Sequence, residues 1–254
     1  MLTVATESTP GRVRTNNEDS LVWDQALGLV AVADGMGGHN AGEVASRLAL
    51  EALQRFLAAS AGDATMSWPF GVDNSVSPDA NRLRTGVRLA NREVFRTAEE
   101  RPECAGMGTT LTAALIEDAR VLFANVGDSR LYAYPRGGAF RQKTRDDSLM
   151  GMLADAPGVD LSSLEDHPMK HLLTNVLGRK ADLEIEVNET TLEDGEILLL
   201  CSDGMHGSLS DEAMRAVLDA EPDLQKAAKQ LVQAALDGGS RDNVSVVLAK
   251  YTST

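Results

Sequence analysis

Four aspartates, Asp34, Asp128, Asp203 and Asp242, stand at the edges of short apolar runs, each next to a glycine or an asparagine. That recurrence narrows the fold more than any other feature. The run at 27–33 is too short and too β-branched for a helix and reads as a buried strand; 119–126 and 197–201 read the same way. An acid at a strand edge can point into a cleft, and glycine beside it lets the backbone approach a ligand closely. The densest case is Asp34-Gly35-Met36-Gly37-Gly38-His39. It is not a phosphate-binding loop of the Walker type, because no Lys-Ser or Lys-Thr follows the glycines. Taken alone it could equally be an ordinary Asp-Gly turn. The three further acidic edges favour a shared site.

The remaining elements follow in order. Residues 2–8 read as a first strand. The loop at 9–19 sets Arg12 and Arg14 beside Glu18-Asp19, which is either solvated charge or an anion-binding arginine next to carboxylates. An arginine fork suits the bidentate geometry of phosphate. Residues 21–23 and 27–33 form a hairpin around Asp24-Gln25. A helix at 41–59, with Asn40 as its cap, places Val44, Leu48, Ala52 and Phe56 on one face. A loop at 60–78 holds Trp68 and Phe70 without indicating their roles. A second helix at 79–100 has Leu83, Val87, Ala90, Val94 and Ala98 at core spacing. Strands are expected at 109–116, 119–126, 131–134, 183–191, 197–201 and 244–251, and helices at 211–220 (capped by Ser210) and 224–236. Residues 150–178 read as an irregular insertion or flap. Within it His167 and His171 are four apart, a pair more often structural than metal-binding.

Composition limits the partners. The 254 residues are 43% apolar, enough for one large domain or two small ones. A net charge of −14 argues against nucleic acid and anionic membrane as partners. A phosphorylated substrate would need cations and local arginines to reverse the field at the site. The same charge predicts that basic phosphopeptides are turned over better than acidic ones. No run approaches the ~20 apolar residues of a membrane span, and the N-terminus has no basic, apolar leader. The expected location is the cytoplasm and the expected state a monomer. Cys104 and Cys201 do not suggest a disulfide framework, and Cys201 reads as a buried free thiol.

If the four edges converge, the aspartates form an oxygen-only cluster. Packed like charges call for cations, and oxygen donors favour Mg²⁺ or Mn²⁺ over Zn²⁺. Two such ions can lower the pKa of a shared water and hold both oxygens of an in-line displacement. The segments Gly11-Arg12-Val13-Arg14-Thr15-Asn16-Asn17-Glu18-Asp19, Asp34-Gly35-Met36-Gly37-Gly38-His39, Gly127-Asp128-Ser129-Arg130, Cys201-Ser202-Asp203-Gly204 and Asp242-Asn243 occur in this order. Together they resemble the metal-dependent Ser/Thr protein phosphatases of the 2C type, the PPM family, in its bacterial form.

The resemblance runs from the first strand to the last. It implies an α+β fold, a four-layer αββα sandwich of two antiparallel sheets flanked by pairs of helices. It implies one catalytic domain over 1–254, with a mobile flap at about 150–178. The implied activity is hydrolysis of phosphoserine and phosphothreonine in proteins by a metal-bridging hydroxide, reversing a bacterial Ser/Thr kinase. By this likeness Asp34 bridges two Mn²⁺ or Mg²⁺ ions and the Gly35 carbonyl ligates one of them. Asp203 and Asp242 match the ligands of the second ion, and Asp128 matches the support of a third, weaker site. Glu18 and Asp19 would hold metal-bound waters. Arg14 matches the phosphate-binding position, and Arg12 is left on the surface.

Two departures stand out. Met36 occupies a position where some members carry a histidine proposed as general acid, and nearby His39 does not inherit that role. Asp146-Asp147-Ser148 stands where the family often reads Asp-His-Ser, at the base of the flap. Two rivals are a pseudophosphatase that only binds partners and a phosphatase acting on an anti-sigma-factor antagonist. Retention of Asp34, Asp203, Asp242 and Arg14 opposes the first. The second usually comes with sensor domains, for which this length has no room. A cysteine-based mechanism is opposed by the lack of an arginine shortly after Cys201.

Overall fold

Alternating apolar residues build two antiparallel sheets that lie face to face. The computed structural model describes residues 1–38, 41–62, 68–154 and 172–253. The first sheet contains β1 (Leu2–Thr9), β7 (Arg130–Tyr134), β8 (Arg141–Gln142), β10 (Ile197–Cys201) and β11 (Val244–Tyr251), in the order β1-β11-β10-β7-β8. The second contains β2 (Asp19–Asp24), β3 (Leu29–Met36), β5 (Leu111–Glu117), β6 (Arg120–Val126) and β9 (Val187–Thr191), in that order, with the short β4 (Gly108–Thr109) paired to the end of β3. Every pairing is antiparallel.

The two-residue period of a strand sorts the side chains into three cores. Val30 and Val32, Leu21 and Trp23, Ala114 and Ile116, Val121 and Phe123 meet Leu131, Leu198, Leu200 and Val247 between the sheets. Their odd-out neighbours, such as Leu29, Ala31 and Ala33, face α1 (Ala41–Ser60) and α2 (Pro78–Glu100). Ile197, Leu199 and Cys201 face α5 (Asp211–Ala220) and α6 (Leu224–Asp237) on the other side. The layers are therefore helix, sheet, sheet, helix, as the αββα expectation has it.

Several local expectations shift. The strand read as ending before Asp34 continues through Asp34 and Gly35 to Met36. The strand expected at 109–116 is split at Thr110, whose N–H and hydroxyl both turn to the Asp34 backbone. Of 183–191, only Val187–Thr191 joins a ladder; Leu183 and Ile185 are buried under the helices without strand pairing. In α1, Ala52 and Phe56 are buried as expected, but the centre of the buried face is Ala45, Ala49, Leu53 and Leu57, while Val44 and Leu48 pack at its margin. The alanines let α1 approach α2 and the sheet at once.

Trp68 packs edge-on against Phe56 at 6.4 Å. Phe70 lies under the guanidinium groups of Arg88 and Arg92, at 4.1 and 4.2 Å. Ser210 caps α5 by accepting from the Ala213 N–H, and both cysteines are buried free thiols. Of the expected flap, α3 (Leu149–Ala154) and residues 172–178 are described. Asn40, His39, His167 and His171 lie outside the described residues.

Leu198 is fully buried between the sheets, so Leu198→Ala should cost about 2–5 kcal/mol of stability. Ser210→Ala should cost about 1 kcal/mol, the usual value of a lost N-cap. Denaturant unfolding of the two variants should give that order; equal losses would contradict the packing described.

Candidate active site

At one end of the sandwich the inward positions change from apolar to polar. Along β3 the inward series Val30, Val32 continues to Asp34. Along β2, Trp23 and Leu21 lead to Asp19. On the facing sheet, Leu198 and Leu200 lead to Ser202, Ala249 and Val247 to Ser245, and Ala133 and Leu131 to Ser129. The mouth of the central core is thus lined by acids from one sheet and hydroxyls from the other.

Asp19 and Asp34 are direct cross-strand partners. The Gly35 N–H donates to the Glu18 carbonyl, so Asp19 and Asp34 form a non-hydrogen-bonded pair, with Cα atoms about 4.5 Å apart and side chains on one face. Like charges so placed repel. Ser202 Oγ donates to Asp19 Oδ2 at 2.7 Å and accepts from the Ser245 N–H. Asp19 Oδ1 is buried with no hydrogen-bond partner. Burial first, then the neighbouring acids Asp203 and Asp242, lift the Asp19 carboxyl to about 7.

Asp34 is pushed well up as well, by burial and then by Asp19, Asp203, Asp128 and Asp242 in turn. These five aspartates come from five separate parts of the chain, and the fold brings them within one another's fields. Asp128 is raised to about 7 by burial, with Asp203 and Asp146 adding to it. It follows β6, and its carbonyl accepts from His206 Nε2 at 2.9 Å. Asp203 is not at a strand end as such; it opens the single-turn α4 (Asp203–His206), directly after Ser202.

Glycines stand where backbones touch. A Cβ on Gly35 would run into the Gly42 carbonyl, and one on Gly204 into the Asn243 carbonyl. The Glu18 carboxylate is held by the Gly42 N–H in the first turn of α1, a favourable place for an anion. Burial nevertheless raises its pKa.

Arg14 pairs with Asp242, Nη2 to Oδ2 at 2.7 Å, on the rim of the site. Arg12 pairs instead with Asp237 at the surface, in line with its expected place. Asn243, which is buried, ties this rim together: it accepts from the Glu18 N–H at 2.8 Å and donates to the carbonyls of Pro10 and Asn16.

All eight expected site residues therefore lie at or around this mouth. Sequence reasoning gave no role to Ser202, Asn243 or Thr110, though Ser202 and Asn243 each adjoin an aspartate of interest. Among the described residues no three His, Cys, Asp or Glu side chains close on one point. A small hard cation such as Mg²⁺ keeps several waters and needs only one or two carboxylates. The orphaned Asp19 oxygen and the facing acids suit divalent cations bound in that manner.

Comparison with known proteins identifies the family. The profile of the protein phosphatase 2C family matches residues 12–238. The serine/threonine protein phosphatase PstP of Mycobacterium tuberculosis is 36% identical over 98% of this chain, which spans 45% of that protein's length. The chain thus spans about half of that relative. The serine/threonine phosphatase stp of Listeria monocytogenes is 32% identical, covering 96% of this chain and 94% of its own. The catalytic domain of PstP, solved in complex with two manganese ions, superposes with a TM-score of 0.81 at 34% identity, over 99% of both chains.

Asp19 and Asp128 titrate near pH 7 in the fold, against 3.8 for an ordinary aspartate. Each contributes stability that is complete below about pH 4 and is lost as the pH rises through about 7. Metal-free protein should therefore melt at a lower temperature at pH 8 than at pH 5. Asp19→Asn, which carries no charge, should lose less over that interval, and Mn²⁺ should raise the melting temperature more at pH 8 than at pH 5. A wild-type slope matched by the variant would remove Asp19 from this account.

Proposed function

This chain belongs to the protein phosphatase 2C family, and from that premise we propose that it hydrolyses phosphoserine and phosphothreonine in proteins, opposing a bacterial Ser/Thr kinase. The family is metal-dependent. The observation that carries the reading is the facing pair Asp19 and Asp34, with Asp128, Asp203 and Asp242 in the same field. A nest of acids of this kind, with Asp19 and Asp128 buried, has little purpose in a binding module and suits a site completed by cations.

Asp34, the Gly35 carbonyl, Asp203 and Asp242 would hold two ions, Mn²⁺ or Mg²⁺, and Asp128 would support a third. Bound there, such ions lower the pKa of water and offset the charge of the phosphate. The chain's own groups do the rest. Glu18 and Asp19 accept hydrogen bonds from water at the mouth and fix its orientation. Ser202 holds Asp19, and Thr110 holds the Asp34 backbone, so both carboxylates keep one arrangement. Arg14 on the rim binds the phosphate oxygens through its fork. With Met36 at the position after Gly35, no side chain there can donate a proton to the leaving alkoxide. The described chain acts as one catalytic domain. Among the described residues no helix is long and apolar enough to cross a membrane.

Hydrolysis of p-nitrophenyl phosphate and of a phosphothreonine peptide, with Mn²⁺, Mg²⁺ or EDTA, tests the proposal. EDTA should abolish both activities. Asp203→Ala should lower kcat/KM by roughly 100-fold or more, the scale of losing one group that stabilises the transition state. Arg14→Ala should act mainly through KM, by about tenfold. Activity indifferent to EDTA would refute the metal site, and a folded, inactive wild type would move the chain to a binding role.

A further inference from the structure

A cavity of about 440 Å³ opens beside Met36, two residues along β3 from Asp34. Two residues of a strand span about 7 Å, so the cavity adjoins the acidic mouth. Met36, Leu172 and Val176 give it apolar wall, Thr174 and Asn175 give it polar wall, and Arg179 and Lys180 stand on its lip. Both cations are exposed. Among the described residues neither makes an ion pair, whereas ten of the chain's eighteen arginines are matched to a nearby acid.

The lip is held rigidly. Asn91, buried in α2, donates to the carbonyls of Lys180 and Ala181 at 2.9 and 3.2 Å and accepts from the Gly178 N–H at 2.9 Å. A buried amide thus spends its hydrogen bonds on positioning the backbone that carries the two cations. Leu177 and Thr109 exchange two backbone hydrogen bonds. At the other end, Asp147 accepts from Asn175 Nδ2 and from the Gly127 N–H, and its carbonyl accepts from the Thr174 N–H. The Arg179 guanidinium lies alongside Gly106 and Gly108.

We propose that this cavity is a subsite for an anionic group flanking the phosphoresidue of the substrate, recognised by Arg179 and Lys180. It rests on the phosphatase reading above. A substrate segment laid across the mouth passes the Met36 side, where its apolar stem meets Met36, Leu172 and Val176 and its charge meets the lip. The chain's net charge of −14 favours basic peptides at long range. At physiological ionic strength that field is screened beyond about 8 Å, so the groups at the lip decide the flanking residue. The recognised group is a carboxylate or a second phosphate.

The test uses the whole chain with Mn²⁺ and four phosphothreonine peptides. They differ only in the residues flanking the phosphothreonine, which are alanine, glutamate, lysine or a second phosphothreonine. p-Nitrophenyl phosphate, which has no flanks, is the control. The wild type should favour the glutamate peptide over the alanine peptide in kcat/KM by roughly fivefold, the scale of two partly exposed ion pairs. Arg179→Ala with Lys180→Ala should abolish that preference, and Arg179→Glu with Lys180→Glu should turn it toward lysine. Turnover of p-nitrophenyl phosphate should stay unchanged in both. Preference for the doubly phosphorylated peptide alone would assign the subsite to a second phosphate. Turnover without any preference for an anionic flank, or variants that lose all substrates equally, would overturn the inference alone. No turnover of any substrate by folded wild type would overturn the phosphatase reading, and this with it.

Discussion

Asp19 and Asp34 face each other across a non-hydrogen-bonded position of the β2–β3 ladder. That like-charged pair is the constraint on which the rest of the site depends. Two carboxylates this close and this buried cannot both ionise freely. The fold offsets part of the cost with the Ser202 hydroxyl, while Asp19 Oδ1 is left without a hydrogen-bond partner. Adding Asp128, Asp203 and Asp242 makes the electrostatics worse in the absence of cations and better in their presence. The site thus stands at a local cost to stability, as sites built for charge-dense ligands do.

The sandwich explains why such a pair can form here. In each of the central strands the inward positions are apolar along the body of the strand and turn polar at one end. Because the strands are antiparallel, that end is the tail of β3, β10 and β6 and the head of β2 and β11. Those ends stack at the same edge of both sheets. The apolar interior fixes the register, since a one-residue slip would turn every inward valine outward. Register then fixes which carboxylates face each other. The core between the sheets therefore does more than stabilise: it aligns chemistry contributed by residues more than 200 positions apart.

The parts legible in the sequence are those that follow from local period and local charge. Strand identity, the helix at α2, the Ser210 cap and the acids at strand edges all came from neighbours within a few residues. What was not legible depends on the second sheet. Ser202 and Thr110 are small neutral residues whose importance appears only once Asp19 and Asp34 are beside them. Asn243 was visible only as the companion of Asp242, whereas its three hydrogen bonds tie together the loop that carries Arg14. The end of β3 was misplaced because glycine and aspartate read as a turn, while pairing with β2 and β4 keeps them extended. In α1 the buried face was shifted because a helix wedged between a sheet and a second helix uses alanine for close approach, and alanine gives little periodic signal.

Arg14 shows how the rim and the nest act on one another. Its ion pair with Asp242 is about half exposed on both sides, and such pairs contribute about 0–1 kcal/mol. The guanidinium is therefore weakly committed. A cation drawing on Asp242 would weaken the pair further, and a phosphate brings two or more oxygens to a fork built for them. Each of the two events makes the other easier, because Asp242 cannot serve arginine and cation with full strength at once. Asn243 keeps the loop backbone fixed throughout, so only the Arg14 side chain has to change partners. The same carboxylate proposed to help hold the cation thus also keeps in reach the arginine proposed to bind the phosphate, which would put the acidic nest and that arginine under one electrostatic control.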